Sequence, residues 1–154
     1  MSNYSTILVP HDGSEMSDMA FDEAAKLAGI FDSLIILLYV VDERFAPPSA
    51  LLAFIRDKTS LKAAKNALKK VLSKGGEAML QDRISKLKDK GIKARMEFKV
   101  GSPAKEIVQA SQDARCDIII MGSKSLRFGS KFKALGSVAR KVAEEATCPV
   151  MLVH

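Results

Sequence analysis

Leu34-Ile-Ile-Leu-Leu-Tyr-Val-Val41 is an unbroken apolar run of eight residues. A strand with one wet face alternates polar and apolar side chains, so a run with no polar position belongs to a strand covered on both faces. Eight residues is short for a helix, and the Ile, Val and Tyr content favours extended chain. The run therefore predicts a parallel sheet with helices above and below it. Thr6-Ile-Leu-Val-Pro10 and Asp117-Ile-Ile-Ile-Met121 read the same way, the first ending at a proline as a buried strand can. Pro149 to Val153 is a last short strand. Ile92 to Val100 differs: its second half alternates, which predicts a half-exposed strand near a sheet edge.

Helical spacing fills the intervals. Met19, Ala20, Ala24, Leu27 and Ala28 follow it, Ser14 is placed to cap the helix, Glu15 and Asp18 put negative charge in its first turns, and Gly29 reads as its stop. Arg44 to Ser49, with Pro47-Pro48, reads as a loop. From about Leu51 to Lys90 the period is again helical. Leu61, Ala64, Leu68, Val71 and Leu72 form one stripe, and Leu80, Ile84 and Leu87 another. Gly75-Gly76 between them is expected to break or kink that helix, and Gly91 to end it. Ser102-Pro103 opens a further helix through Ile107, Val108 and Ala110, and Ser137 to Ala146 carries a fourth. Strands alternating with helices predict a doubly wound α/β sheet, in one domain over residues 1–154.

Composition narrows the function classes. The 154 residues are 47% hydrophobic and 27% charged, as in an ordinary globular domain. The eight-residue run falls far below the roughly 20 residues of a membrane span. The N-terminus has no basic segment and leads directly into a strand, which predicts no signal peptide. Cys116 and Cys148 make neither a C-x-x-C pair nor a metal-ligand spacing. Packing and a reducing cytoplasm are the simplest readings of both, with a disulfide between them as the other. The 24 Lys and Arg exceed the 18 Asp and Glu, and the excess is concentrated. Residues 56–95 carry 13 basic and 4 acidic groups, and residues 122–141 carry Lys124, Arg127, Lys131, Lys133, Arg140 and Lys141 with no acid. Lys58, Lys62, Lys65 and Lys69 share a helical face, which reads as a solvated side or as a surface for RNA or an anionic membrane. No aromatic residues interleave with them, which argues against nucleic acid held by stacking.

In open α/β sheets ligands bind beyond the carboxyl ends of the strands, where the strand order reverses. Two strand ends run into small polar residues: Val9-Pro-His-Asp-Gly-Ser14 and Met121-Gly-Ser-Lys-Ser125. If the two strands are neighbours, their loops diverge and leave a crevice. Asp12 on one wall can accept hydrogen bonds from ribose hydroxyls or help hold a divalent cation; it can equally close an Asx-type turn. On the other wall Gly122, Gly129, Gly136 and Ser137 permit close backbone approach, and a helix starting near Ser137 offers N–H groups to a phosphate. Gly122-Ser123 also reads as a simple turn after a strand. His11 suits a loop or core position better than a general base. Ser14 suits a cap better than a nucleophile, since no base and orienting partner accompany it. Neither a dinucleotide-binding G-x-G-x-x-G, a phosphate-loop G-x-x-x-x-G-K-[ST] nor a G-x-S-x-G elbow is present.

Five segments, in order, resemble the universal stress protein family of the adenine-nucleotide-binding alpha-hydrolase-like superfamily: Ile7-Leu-Val-Pro-His-Asp-Gly-Ser-Glu15, Leu37-Leu-Tyr-Val-Val-Asp42, Val100-Gly-Ser-Pro103, Asp117-Ile-Ile-Ile-Met-Gly-Ser123, and Leu135-Gly-Ser-Val138 with Cys148-Pro-Val-Met-Leu-Val153. The resemblance spans nearly the whole chain. It implies a five-stranded parallel sheet of order 3-2-1-4-5 and a cytoplasmic homodimer formed through the C-terminal strand. It further implies an adenine nucleotide, ATP or AMP, with Mg2+ or Mn2+ carried on its phosphates. Position by position, it implies adenine and ribose contacts from Pro10, Asp12 and Val40. Further contacts, chiefly to phosphate, fall to Met121, Gly122, Ser125, Gly136, Ser137 and Val138.

The family's ATP signature is G-x2-G-x9-G-[ST], and this chain departs from it twice. Ser125 stands where the second glycine belongs, and ten residues rather than nine separate it from Gly136-Ser137. If that position needs a positive φ, serine costs about 1–2 kcal/mol there. The resemblance thus implies a nucleotide-linked stress-response module, and the departures favour a dimeric interaction module of the same fold that binds no nucleotide. No catalytic residue is assigned; at most, a slow ATPase would use Asp12 and a phosphate-bound metal to position water.

Overall fold

The computed structural model describes residues 4–45, 61–124 and 135–154, with Phe45 and residues 61–73 described by backbone alone. The elements run β1 (Thr6–Pro10), α1 (Glu15–Phe31), β2 (Leu34–Asp42), a 3-10 turn (Glu43–Phe45), α2 (Leu61–Asp89), β3 (Lys93–Gly101), α3 (Pro103–Asp113), β4 (Ile118–Gly122), α4 (Ser137–Glu145) and β5 (Val150–Val153). All pairings are parallel and the sheet order is β3-β2-β1-β4-β5. The apolar runs thus form the strands expected of them, and the alternating Lys93–Gly101 segment lies at an edge. The expectations for residues 46–60, most of the Arg44–Ser49 loop and the start of the long helix, lie outside the described residues, as do the side chains of the Leu61, Ala64, Leu68, Val71 and Leu72 stripe.

Strand alternation explains how the runs are used. Ile7, Val9, Ile35, Leu37, Ile118 and Ile120 face α1 and α2, where Phe21, Ala24, Ala28, Leu80, Ile84 and Leu87 cover them. Leu8, Ile36, Leu38, Ile119 and Met121 face α3 and α4, under Ile107, Val108, Ala139 and Val142. Burying each Ile or Leu in this way contributes about 1.5–3 kcal/mol. Consecutive residues go to opposite cores, which is why no polar residue interrupts these strands.

β1 is hydrogen-bonded on both sides, Thr6 to Pro10 against Leu34 to Leu38 of β2 and Ile7 and Leu8 against Ile118 and Ile119 of β4. Asp117 pins the second pairing twice. Its N–H donates to the Thr6 carbonyl at 2.9 Å, and its Oδ2 accepts the Thr6 N–H at 2.9 Å.

Two helix-end expectations are corrected. α1 does not stop at Gly29 but runs to Phe31, and Asp32 caps it in the left-handed region at φ 54°. The two extra residues are held from outside the helix: Phe31 packs edge-to-face on Tyr4 with centroids 5.5 Å apart, and the Ser33 hydroxyl donates to the Tyr4 carbonyl. Likewise Gly75-Gly76 does not break the helix; α2 is continuous over 29 residues. Gly76 instead permits close approach, since a Cβ there would stand 2.6 Å from Cδ1 of Tyr39 in β2. Gly75 faces open space.

The two glycines therefore respond oppositely to alanine. Gly75→Ala is expected to raise stability by about 0.5–1 kcal/mol, as at an exposed helix position. Gly76→Ala is expected to lower it by about 1–3 kcal/mol through overpacking against Tyr39. Urea unfolding of both variants checks the pair.

Candidate functional site

α1 leaves β1 toward one face of the sheet, and α4, the helix after the adjacent strand β4, covers the other. The β1–α1 loop is built by its own side chains. Asp12 Oδ1 accepts the Ser14 N–H at 2.9 Å and the Ser17 hydroxyl at 2.7 Å. Ser14 caps α1 as expected, its Oγ accepting the Ser17 N–H at 3.1 Å. Gly13 makes the turn at φ 86°, a conformation that glycine adopts without strain, and its missing Cβ leaves room for the Met79 sulfur of α2. Asp12 therefore closes the Asx-type turn with one oxygen. Its Oδ2 accepts no hydrogen bond among the described residues. Burial pushes this carboxyl up, and the hydrogen bonds from Ser14 and Ser17 outweigh it, so Asp12 lies below its ordinary value and is ionised at neutral pH.

The ring of His11 is buried beneath this loop. Its Nδ1 accepts the Gly13 N–H at 3.0 Å and its Nε2 lies 2.9 Å from Asp18 Oδ1. Arg83 of α2 holds the same carboxylate in a fork, Nε at 2.6 Å and Nη2 at 3.0 Å. Burial lowers the His11 pKa more than the Asp18 hydrogen bond raises it. The Arg83 guanidinium, opposed by partial burial, holds Asp18 below the ordinary carboxylate range. This three-residue network was not visible in the sequence, where Asp18 read only as favourable charge in the first turns of α1. Arg83 comes 65 residues later, and only the fold brings it back.

On the opposite wall Ser123 joins three elements. Its N–H donates to the Val153 carbonyl at 2.9 Å and its carbonyl accepts the Gly136 N–H at 2.8 Å. The end of β4, the end of β5 and the start of α4 are thereby fastened together. Gly136 is the N-cap of α4, and no side chain of its own caps the helix. Ser137 is exposed at the first helical position and Val138 is half-buried.

The fold thus gathers most of the expected site residues at the carboxyl ends of β1, β2 and β4. Pro10 ends β1, and Val40, Met121 and Val138 belong to the core on the α3 and α4 face. Gly122 has a structural reason of its own: a Cβ there would lie 2.9 Å from Met16 Cβ and 3.1 Å from the Met16 carbonyl carbon of α1. Ser125, Arg127, Gly129, Lys131 and Lys133 lie outside the described residues, as does Lys58, and the side chains of Lys62, Lys65 and Lys69 are likewise not described. Of the basic segment, Lys141 pairs with Glu145 along α4 at 4.0 Å and Arg140 is exposed. Cys116 and Cys148 are free thiols, and burial pushes that of Cys116 up to about 12. No group of three or more His, Cys, Asp or Glu side chains is arranged to hold a metal among the described residues. No described helix is long and apolar enough to cross a membrane.

A five-stranded parallel sheet whose order reverses between β1 and β4 defines a doubly wound α/β protein. The comparisons give the particular family: the model of the universal stress protein family matches residues 3–154, and the chain belongs to that family. It is similar to universal stress protein YxiE of Bacillus subtilis, 31% identical over 98% of this chain and 99% of that one. It is also similar to universal stress protein MJ0577 of Methanocaldococcus jannaschii, 32% identical over 97% of this chain and 94% of that one. The solved structure of MJ0577 superposes with a TM-score of 0.80 at 30% identity, covering 98% of this chain and 96% of that one. A universal stress protein solved in complex with cAMP has the same fold, with a TM-score of 0.65 at 21% identity over 99% of this chain and 98% of that one.

Gly122→Ala isolates the packing role of that glycine. It is expected to cost about 1–3 kcal/mol without any ligand, because α1 must shift from β4. For a chain of this length that lowers Tm by about 2–4 °C per kcal/mol, readable by calorimetry.

Proposed function

We propose that this chain, as one domain over residues 1–154, binds an adenine nucleotide, ATP or AMP, in the crevice between the β1–α1 loop and the start of α4. The observation that carries the reading is the adjacency of β1 and β4, with a free carboxylate oxygen of Asp12 on one side and a helix start without a side-chain cap on the other. A carboxylate is suited to ribose hydroxyls, and the first-turn N–H groups of α4 are suited to phosphate. Pro10 and Val40 adjoin the base and sugar, and Val138 at the start of α4 adjoins the phosphates, with Met121 in the core behind them. Gly122, Gly136 and Ser137 line the phosphate side; Ser125, assigned there by the resemblance, lies outside the described residues. Mg2+ or Mn2+ travels on the phosphates, as divalent cations bound to nucleotides do. The cAMP complex of a distant universal stress protein supports an adenine ligand.

The protein then acts in the cytoplasm as a stress-response module whose nucleotide state governs its interactions. β5 is an edge strand with Met151 exposed, which supports a homodimer through that strand. No catalytic residue is assigned. A second reading, an interaction module of this fold without nucleotide, draws on Gly122: its lack of a side chain is already required by Met16 and needs no ligand to explain it.

Calorimetric titration with ATP and Mg2+ separates the two. Under the first reading the wild type binds, and ATP at a hundredfold excess over Kd adds about 2.7 kcal/mol to stability. Asp12→Asn keeps an oxygen for the Ser14 turn but removes the charge. It is expected to weaken ATP about 10- to 100-fold, the loss of one charged hydrogen bond of about 1.5–3 kcal/mol. No heat and no thermal shift at millimolar ATP supports the second reading.

A further inference from the structure

His11 occupies the position immediately before the ligand-facing carboxylate, and the structure fixes its protonation pattern by geometry. A neutral imidazole has one donor and one acceptor. The Gly13 N–H can only donate, and it points at Nδ1 from 3.0 Å. Nδ1 is therefore bare, and the proton sits on Nε2, which donates to Asp18 Oδ1 at 2.9 Å. The charged groups facing the ring are Asp12 on its own loop, Asp18 from α1 and Arg83 from α2. From β2, the Leu38 carbonyl accepts the His11 backbone N–H at 2.8 Å. Arg83 is itself anchored by the Met79 carbonyl, so α2 braces the whole arrangement.

Gly13 lies between Asp12 and Ser14, whose own hydrogen bond closes the turn. We propose that His11 is a positioning residue for the Asp12 turn, and that a second proton on its ring opens the β1–α1 wall of the nucleotide site. The half of this concerning nucleotide rests on the proposed function; the half concerning the turn does not. Protonated Nδ1 is a donor facing another donor, so the Gly13 bond is lost and the turn that aims Asp12 loses its support. The pKa direction agrees. His11 lies below the ordinary 6.5 because burial disfavours the charged ring. The neutral ring thus belongs to the native loop, whose contribution is complete above the ordinary value and is lost as pH falls through the folded one.

Long-range 1H–15N spectra of the nucleotide-free protein, taken from about pH 8 downward, test the turn directly, because the chain has only two histidines, His11 and His154. At pH 8 His11 is expected to carry its proton on Nε2 alone. As it titrates, below 6.5, the amide signals of Gly13 and Ser14 are expected to move with the same midpoint. His11→Asn places a non-titrating oxygen near the Nδ1 position and is expected to abolish that amide transition. Asp18→Asn removes the carboxylate that favours the charged ring and is expected to move the midpoint to lower pH. ATP titrations of wild type and His11→Asn then test the link to binding. Below the midpoint, log Kd of the wild type is expected to rise more steeply by about one unit per pH unit, the linkage of one proton. The titration of the ATP phosphate itself cancels in that difference. A proton on Nδ1 at pH 8, Gly13 and Ser14 signals indifferent to His11, or equal ATP slopes in the two proteins overturns the proposal. Failure of the wild type to bind ATP at pH 8 overturns the proposed function instead, and the spectra alone then decide the positioning of the turn.

Discussion

The pairing of β1 with β4 is the constraint on which everything else depends. It is short, with only Ile7–Ile118 and Leu8–Ile119 in register, and Asp117 reinforces it with a backbone and a side-chain hydrogen bond to Thr6. Through this pairing the chain reverses direction across the sheet. β2 and β3 lie to one side of β1, and β4 and β5 to the other. α1 and α4 cover opposite faces, so the helices that follow β1 and β4 lie on opposite sides of the sheet, the arrangement at which open α/β sheets commonly bind ligands.

The carboxyl ends of β1 and β4 are each braced from outside. On the β1 side the brace is α2, through Met79 against Gly13 and Arg83 on the carboxylate that holds His11. On the β4 side it is β5, through the Val153 carbonyl and Ser123, which in turn holds Gly136. Gly122 sets the gap between α1 and β4, because its backbone meets Met16 where a side chain would collide. The site's parts are thus ordered by protein contacts that exist without ligand. Such preorganisation lowers the ordering cost of the proposed binding.

The strands were legible in the sequence because burial on both faces leaves a plain mark, an apolar run with no polar interruption. The edge position of Lys93–Gly101 was legible for the complementary reason, since a half-exposed strand must alternate. Helix ends were less so. Gly29 carried the ordinary stop signal, yet the contact of Phe31 with Tyr4 extends α1 past it. Gly76 looked like a break because sequence cannot show the Tyr39 ring lying against it. At the site, Asp12 and Ser14 announced a turn and a cap. The adjacency of the two loops came from family resemblance, not from spacing, and the His11–Asp18–Arg83 network left no local mark because Arg83 comes from α2, 65 residues after Asp18.

Hydrogen exchange with and without ATP and Mg2+ tests the central claim most directly, because it reports both walls at once. The account predicts added protection in two separate segments, residues 10–14 after β1 and residues 136–139 at the start of α4, appearing together at one ATP concentration. Protection confined to one segment, or to neither, would contradict a single site spanning the β1–β4 opening.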